Sequence, residues 1–363
     1  MAKIIYNTST REFHLCNQRI SYILSVLENG QLGQLYFGKK LTHRDSFAHF
    51  IQMRTQSHTA YVYENDFLFS LDTIRQEYPS YGTTDFREPA YQIEQGNGSR
   101  ITGFAYKSHE IYSGKKKLNG LPAVYTEDDQ EAVTLDVILE DPLIQVQLIL
   151  SYTIFEDYDV VCRNAKFVNH GCRTVKLNRA MSLSIDLYDD DYEMIQLDGA
   201  WSRERHIVRR KLVGGIQSVS SARGASSMDH NPFIALKRPW ATEQTGEVYG
   251  FCLIYSGNFL AQVEVEMCIR DSMGVSAVVA DSFARIFFRN SINLGLPLVV
   301  CRGIGKKVKY GQTLKLDLEN GTVTVMETGE CCLCEKMGEQ AFKILEAGGI
   351  KPMMRERMKK GGE

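Results

Sequence analysis

Val133-Thr-Leu-Asp-Val-Ile-Leu-Glu140 and Leu143-Ile-Gln-Val-Gln-Leu-Ile-Leu150 set apolar side chains on roughly every second position, with Asp136, Gln145 and Gln147 between them. A period of two buries one face of a strand and wets the other, the pattern of an antiparallel sheet. Asp141-Pro142 between the runs breaks the ladder and predicts a turn. Similar segments recur at 99–113, 160–168, 174–187, 216–221 and 249–265, and turn-forming runs such as Gly96-Asn97-Gly98 and Asn169-His170-Gly171 separate many of them. Many strands with few helical stretches predict a mainly β fold, a large β-sandwich over residues 1–266.

The composition sets limits on function. With 363 residues, 44% hydrophobic and 24% charged, the chain has the make-up of a soluble globular protein of two to three domains. A formal charge of −2 gives no electrostatic reason to expect nucleic acid or an anionic membrane as a partner. No apolar run approaches the roughly 20 residues that span a bilayer. The start, MAKIIYNTSTREFHL, lacks a charged n-region followed by an apolar core, so no secretory signal is expected. Nine cysteines without regular spacing read as reduced thiols, and the cytoplasm is the expected compartment.

The first 266 residues contain no nucleophile elbow, phosphate loop, H-E-x-x-H or paired C-x-x-C. They do contain polar and aromatic clusters. Gln76-Glu-Tyr-Pro-Ser-Tyr-Gly-Thr-Thr-Asp-Phe-Arg87 is loop-like, and Leu197-Asp-Gly-Ala-Trp-Ser-Arg-Glu-Arg-His206 holds one of two tryptophans. Arg223-Gly-Ala-Ser-Ser227 and His230-Asn-Pro-Phe233 read as further polar loops. An Arg-Glu-Arg group is ordinarily a surface ion-pair cluster, and Trp201 an edge-of-sheet aromatic. The alternative is a sugar platform, in which the ring covers an apolar C–H face while charged groups bond the hydroxyls. Asp189-Asp190-Asp191 reads as a solvated turn, since adjacent carboxylates do not face one another.

The segments 69–93, 97–125, 182–206, 224–236 and 246–265, among them SLSIDLYDDDYEMIQLDGAWSRERH, resemble in order the N-terminal domain of bacterial α-galactosidases of glycoside hydrolase family 36, from about Ile4 to Val265. The resemblance implies a β-supersandwich that precedes a (β/α)8 barrel, and release of terminal α-linked galactose with retention of configuration. Retention needs two carboxyl groups about 5 Å apart. In the family both stand on the barrel, so no catalytic residue is assigned here. The resemblance also implies a homo-tetramer in which the Trp of a G-A-W segment closes a neighbouring subunit's sugar pocket. That segment is Gly199-Ala200-Trp201, which makes Trp201 the one expected substrate contact. Around Gln52-Met-Arg-Thr55, where some relatives place a second, acidic contact, no acid stands.

From Gly274 the pattern changes to that of a small α/β block. Val275–Ala280 reads as a buried strand and Ser282–Asn293 as an amphipathic helix, capped by Asp281 or Ser282 and stopped at Gly295 and Pro297. Leu298–Cys301, Thr313–Leu318 and Thr322–Val325 read as strands, the last two joined through the turn Asn320-Gly321. A helix follows over Glu339–Ala347, then a charged tail from Lys351. VSAVVADSFARIFFRNSINLGLPLV (275–299) and LEAGGI (345–350) resemble the small subunit of 3-isopropylmalate dehydratase, an aconitase-type swivel domain. The resemblance implies a large partner subunit that carries the iron–sulfur cluster, leaving no cofactor or metal on this chain. The substrate-gripping loop of that subunit would precede Val275 and is not present. Cys331, Cys332 and Cys334 read as free surface cysteines rather than a thiolate site.

Between the blocks, Met267-Cys268-Ile269-Arg270-Asp271-Ser272 reverse-translates as ATG-TGT-ATA-AGA-GAC-AGY, which resembles the end of a transposase adapter used for sequencing libraries. The expected organisation is therefore a sandwich over 1–266, an adapter-like junction over 267–273, a swivel fragment over 274–350 and a tail over 351–363. The favoured expectation is an inactive chimera of an α-galactosidase fragment with a dehydratase fragment. Two alternatives stand beside it: a genuine fusion whose sandwich is a carbohydrate-binding module, and dehydratase small-subunit function in leucine biosynthesis.

Overall fold

The computed structural model describes residues 2–51, 63, 69–71, 74–81, 87–120, 122–265, 277–283, 297–309, 312–318, 320–335 and 338–346. The chain divides into two compact units, Met1–Glu266 and Met267–Glu363.

The first unit is mainly β, as its alternation predicts. Strands β1 (Lys3–Asn7), β2 (Glu12–Cys16), β3 (Ile20–Val26) and β4 (Leu32–Lys39) form one antiparallel meander. Strand β5 (Tyr91–Glu94) follows, and then β6 (Ala105–Ser113), β7 (Ala132–Asp141), β8 (Val146–Phe155) and β9 (Val161–Asn169) form a second meander. Strand β10 (Lys176–Ala180) returns to pair with β5. The two meanders share one apolar core, in which Phe13, Leu15, Tyr22 and Leu24 meet Leu135, Val137, Leu148, Leu150 and Tyr152. Asp141 closes the turn between β7 and β8 as expected, because its carboxylate accepts from the Leu143 N–H at 2.9 Å and the Gly103 N–H at 2.7 Å.

Strands β1 to β4 are absent from the set that alternation singles out, and for β2 and β3 burial explains why. Every residue of β2 and β3 is buried, including Glu12, His14, Ser21 and Ser25. A strand covered on both faces has no wet side to impose a polar period.

A charged group lies at the centre of this core. Glu77 and Arg163 are both buried, with Arg163 Nη1 2.5 Å from Glu77 Oε1, and the Tyr22 hydroxyl donates to Glu77 at 2.8 Å. The Arg163 guanidinium stacks 4.2 Å from the Tyr152 ring. Buried charges persist when paired and hydrogen-bonded in this way. The described part of 76–87 is loop-like, as expected, with one isolated bridge at Gln76, but it lies inside: Gln76, Glu77, Tyr78 and Ser80 are buried, and Arg87 pairs with Asp186. Residues 82–86 lie outside the described ones.

A second set of strands completes the unit. Strands β11 (Glu193–Ala200) and β12 (Arg203–Lys211) form a hairpin, β13 (Gly215–Ser221) leaves it, and β14 (His230–Lys237), β15 (Val248–Cys252) and β16 (Phe259–Val265) follow. One sheet runs β12-β11-β14-β15 and the other pairs β13 with β16. Tyr192, Met194, Val219, Ile234, Leu236 and Phe259 are buried together between them. His230-Asn-Pro-Phe233 thus opens a strand instead of forming a loop, and Pro232 falls where the β11–β14 register shifts, a place that tolerates a missing N–H. The 174–187 segment is a strand only over β10, and 249–265 is two strands.

In the second unit β17 (Val278–Ala280) and β18 (Leu298–Val300) pair in parallel. Strands β19 (Leu314–Asp317) and β20 (Thr322–Val325) form the expected hairpin, with Gly321 at φ +66° in the turn. A third strand, β21 (Cys331–Leu333), joins them, and helix α1 covers Glu339–Glu346. The expected helix at 282–293 and the charged tail lie outside the described residues, except for Ser282 and Phe283. Among the described residues no helix is long and apolar enough to cross a membrane.

Candidate functional site

Trp201 is positioned by a two-residue hairpin. Ala200 ends β11, Arg203 begins β12, and the two face each other in the register. Trp201 and Ser202 form the tip, where Ser202 takes a left-handed φ of +59°. One residue before Ala200 the ladder skips: Glu204 and Arg205 of β12, the latter at φ +60°, stand against Gly199 alone, so Gly199 lies opposite a bulge in β12. A Cβ at Gly199 would lie 2.3 Å from Arg203 O, 2.8 Å from Glu204 Cα and 2.9 Å from Met228 O. Only a residue without a side chain lets the backbones approach so closely.

Asp198 and Gly199 also tie the hairpin to the loop before β14. The Gly199 N–H donates to Asp229 O at 3.2 Å, and His230 Nδ1 donates to Asp198 Oδ1 at 3.0 Å. Arg223 Nη1 reaches Asp229 Oδ2 at 3.3 Å, and the Gly224 N–H donates to Asn258 Oδ1 at 2.6 Å. Three clusters that the sequence presents separately (197–206, 223–227 and 230–233) therefore stand together around one hairpin. Trp201 crowns it with 80% of its surface exposed.

The Arg-Glu-Arg-His group turns out to be the start of β12, a sheet edge. Arg203, Arg205, Arg209, Arg210 and Lys211 line this nine-residue strand. Charges on an edge discourage pairing with another strand. The carboxylates near the tip serve the hairpin: Asp198 takes His230 and Asp229 takes Arg223. They act as local latches that hold the hairpin to the loop before β14.

Asp189, Asp190 and Asp191 are exposed and outside any strand, as the reading of a solvated turn expects, and Asp189 is in addition paired. The Arg238 guanidinium binds it through Nη1 and through Nη2 at 3.1 Å, also reaches Glu247 at 3.1 Å, and lies 4.0 Å from the Tyr192 ring. That hydrogen bonding holds the Asp189 carboxyl below the usual carboxylate range. Among the described residues no group of three or more His, Cys, Asp or Glu is placed to hold a metal ion. In the second unit the reading of three surface cysteines is corrected: Cys331 is exposed, Cys332 is buried and Cys334 half-buried, all with free thiols. Residues Gln52–Thr55 lie outside the described ones.

Comparison with known proteins gives a consistent result. Residues 30–276 match the model of the glycosyl hydrolase family 36 N-terminal domain. Over 275 residues the chain is 47% identical to alpha-galactosidase AgaA of Geobacillus stearothermophilus, covering 75% of this chain and 38% of AgaA. The solved structure of alpha-galactosidase AgaB from the same organism superposes with a TM-score of 0.68 at 49% identity, over 73% of this chain and 36% of AgaB. A variant of AgaA solved in complex with raffinose gives a TM-score of 0.68 at 48% identity, over 70% of this chain and 36% of that one. The chain thus spans well under half the length of the relatives it matches.

Proposed function

The chain belongs to glycosyl hydrolase family 36, and from that premise we propose that its first unit is the N-terminal β-domain of an α-galactosidase. The match over residues 30–276 carries the reading. The substrates proposed for the full-length parent are sugars with a terminal α-linked galactose, of which raffinose, bound by the AgaA variant, is an example. In that parent Trp201 caps a sugar pocket contributed by a neighbouring subunit of a homo-tetramer. Its exposure at the tip of a braced hairpin suits this role, since an indole offers an apolar face to sugar C–H groups. The working compartment is the cytoplasm, where free thiols stay reduced.

In the parent the acid and base are proposed to stand on the barrel, outside the N-terminal domain that residues 30–276 match, and residues 1–363 taken by themselves are proposed to be inactive. The second unit is proposed to derive from a 3-isopropylmalate dehydratase small subunit, whose partner would be the large subunit, joined through the adapter-like residues 267–273. The exposure of Trp201 favours a second reading, in which the sandwich is a carbohydrate-binding module of a genuine fusion.

The test is direct. Purified chain is incubated with a chromogenic α-galactoside, and turnover is expected to equal that of a heat-denatured control. Turnover above the control places both carboxyls within these residues and sinks the missing-barrel reading. Independent genomic reads across codons 266–274 decide the junction: codons that diverge from the adapter establish the fusion, and adapter codons establish the chimera.

A further inference from the structure

The second unit places two thiols at the seam between its sheets. Cys301 follows β18, and its N–H donates to Ala280 O at 2.8 Å, so it extends the parallel pair. Cys334 follows β21, and its N–H donates to Gly321 O at 2.8 Å, so it extends the three-stranded sheet. The Glu335 N–H donates to Val300 O at 2.9 Å and joins the two sheets. Cys301 Sγ lies 3.8 Å from Leu333 O, so the two segments run past each other in opposite directions. Continued in opposite directions from the Glu335–Val300 bond, the two segments would set 334 to face 301. Facing positions of this kind bring Cα atoms to about 4.5–5.5 Å, within the roughly 4.4–6.8 Å that a disulfide spans.

The side chains agree with the backbone. Along β21 alternate residues share a face, so Cys332 and Cys334 turn inward while Cys331 and Leu333 are exposed. Cys301, Cys332 and Cys334 pack into one apolar cluster with Val299, Ile304 and Val323. Cys301 Sγ lies 3.8 Å from Leu333 O and Cys334 Sγ 3.8 Å from Cys332 O, so both thiols lie along the same stretch of backbone.

We propose that Cys301 and Cys334 form a reversible disulfide that staples the two sheets of this unit, with a small-molecule disulfide such as oxidised glutathione as oxidant. One protein thiolate attacks the small disulfide, forms a mixed disulfide and expels one glutathione thiolate. The second protein thiolate attacks the mixed disulfide and expels the other. Two protein thiols lose two protons and two electrons, and the small disulfide becomes two thiols. Burial, together with the Cys301 thiol, pushes the Cys334 thiol up to about 12. Thiolate is therefore scarce near neutrality, and the staple closes slowly, faster as the pH rises.

The full chain is equilibrated in glutathione buffers of increasing oxidised fraction, quenched by alkylation, digested and mapped by mass spectrometry. The expected product is a cross-link between Cys301 and Cys334, about 2 Da lighter than the reduced pair. C334S should lower cross-linking of Cys301 by about tenfold or more, while C331S should leave it unchanged. Closure should also be faster at about pH 9 than at about pH 7. The proposal is overturned if the unaltered chain keeps both thiols alkylatable at every ratio, or if Cys301 links to Cys331 or Cys332 instead.

Discussion

His14 shows how one buried side chain couples the fold to pH. Its Nε2 lies 2.9 Å from Ser21 Oγ, and its Nδ1 lies 3.1 Å from His43 Nδ1, which ties the segment after β4 to the face of the first meander. Two imidazolium ions cannot share that short contact. Burial, then His43, Lys3 and Lys40, lower the His14 pKa from 6.5 to about 4. Because the folded value lies below the unfolded one, the unfolded chain binds the proton first. Stability is therefore full above about pH 6.5 and falls as the pH drops towards 4. Allowing for solvent screening, the loss is on the order of 1–2 kcal/mol. Urea unfolding at about pH 7 and about pH 5 should show this fall in the unaltered chain, and His14→Gln should reduce it. An equal fall in the variant would assign the acid sensitivity to other groups.

At the scale of elements, the hairpin that carries Trp201 depends on Gly199. Gly199→Ala would set a methyl group against Arg203 O and Met228 O, so the bulge must open or the loop before β14 must withdraw. The expected cost is about 1–3 kcal/mol. It should be accompanied by a change in indole emission, whereas Trp201→Ala, at an exposed tip, should cost less than about 0.5 kcal/mol. Comparable stability losses for the two variants would contradict the account of the tip. The same hairpin shows what the sequence made legible and what it did not. Trp201 and its polar neighbours stand out by residue type, and β7 and β8 by their alternation. The bulge does not stand out, because a glycine beside a turn carries no local sign of the backbone that will approach it. The meander β1 to β4 and the Glu77–Arg163 pair were hidden for a related reason. Glu12, His14 and Ser21 of β2 and β3, like Glu77 and Arg163, are inside and bonded to groups from other segments, and local patterns read such residues as surface.

At the scale of the whole molecule, each unit has its own apolar core. The clusters around Tyr22 and Tyr152 and around Met194 and Ile234 lie entirely within Met1–Glu266, and the cluster around Val323 lies within Met267–Glu363. A core that closes within one segment needs nothing from another to form. Residues 1–266 expressed alone should therefore fold, with the β-type circular dichroism and cooperative melting of a packed domain. Their melting midpoint should fall within about 5 °C of the transition that the same strands show in the full chain, the shift expected of roughly 1 kcal/mol. Exposed apolar positions, among them Ile207, Val213, Ile216 and Leu260, should make the fragment prone to associate at high concentration. Light scattering that grows with concentration while the dichroism stays unchanged is the expected sign. A fragment that is soluble but lacks a cooperative transition would show that the sandwich draws stability from residues beyond Glu266, and the two-unit account of this chain would fail.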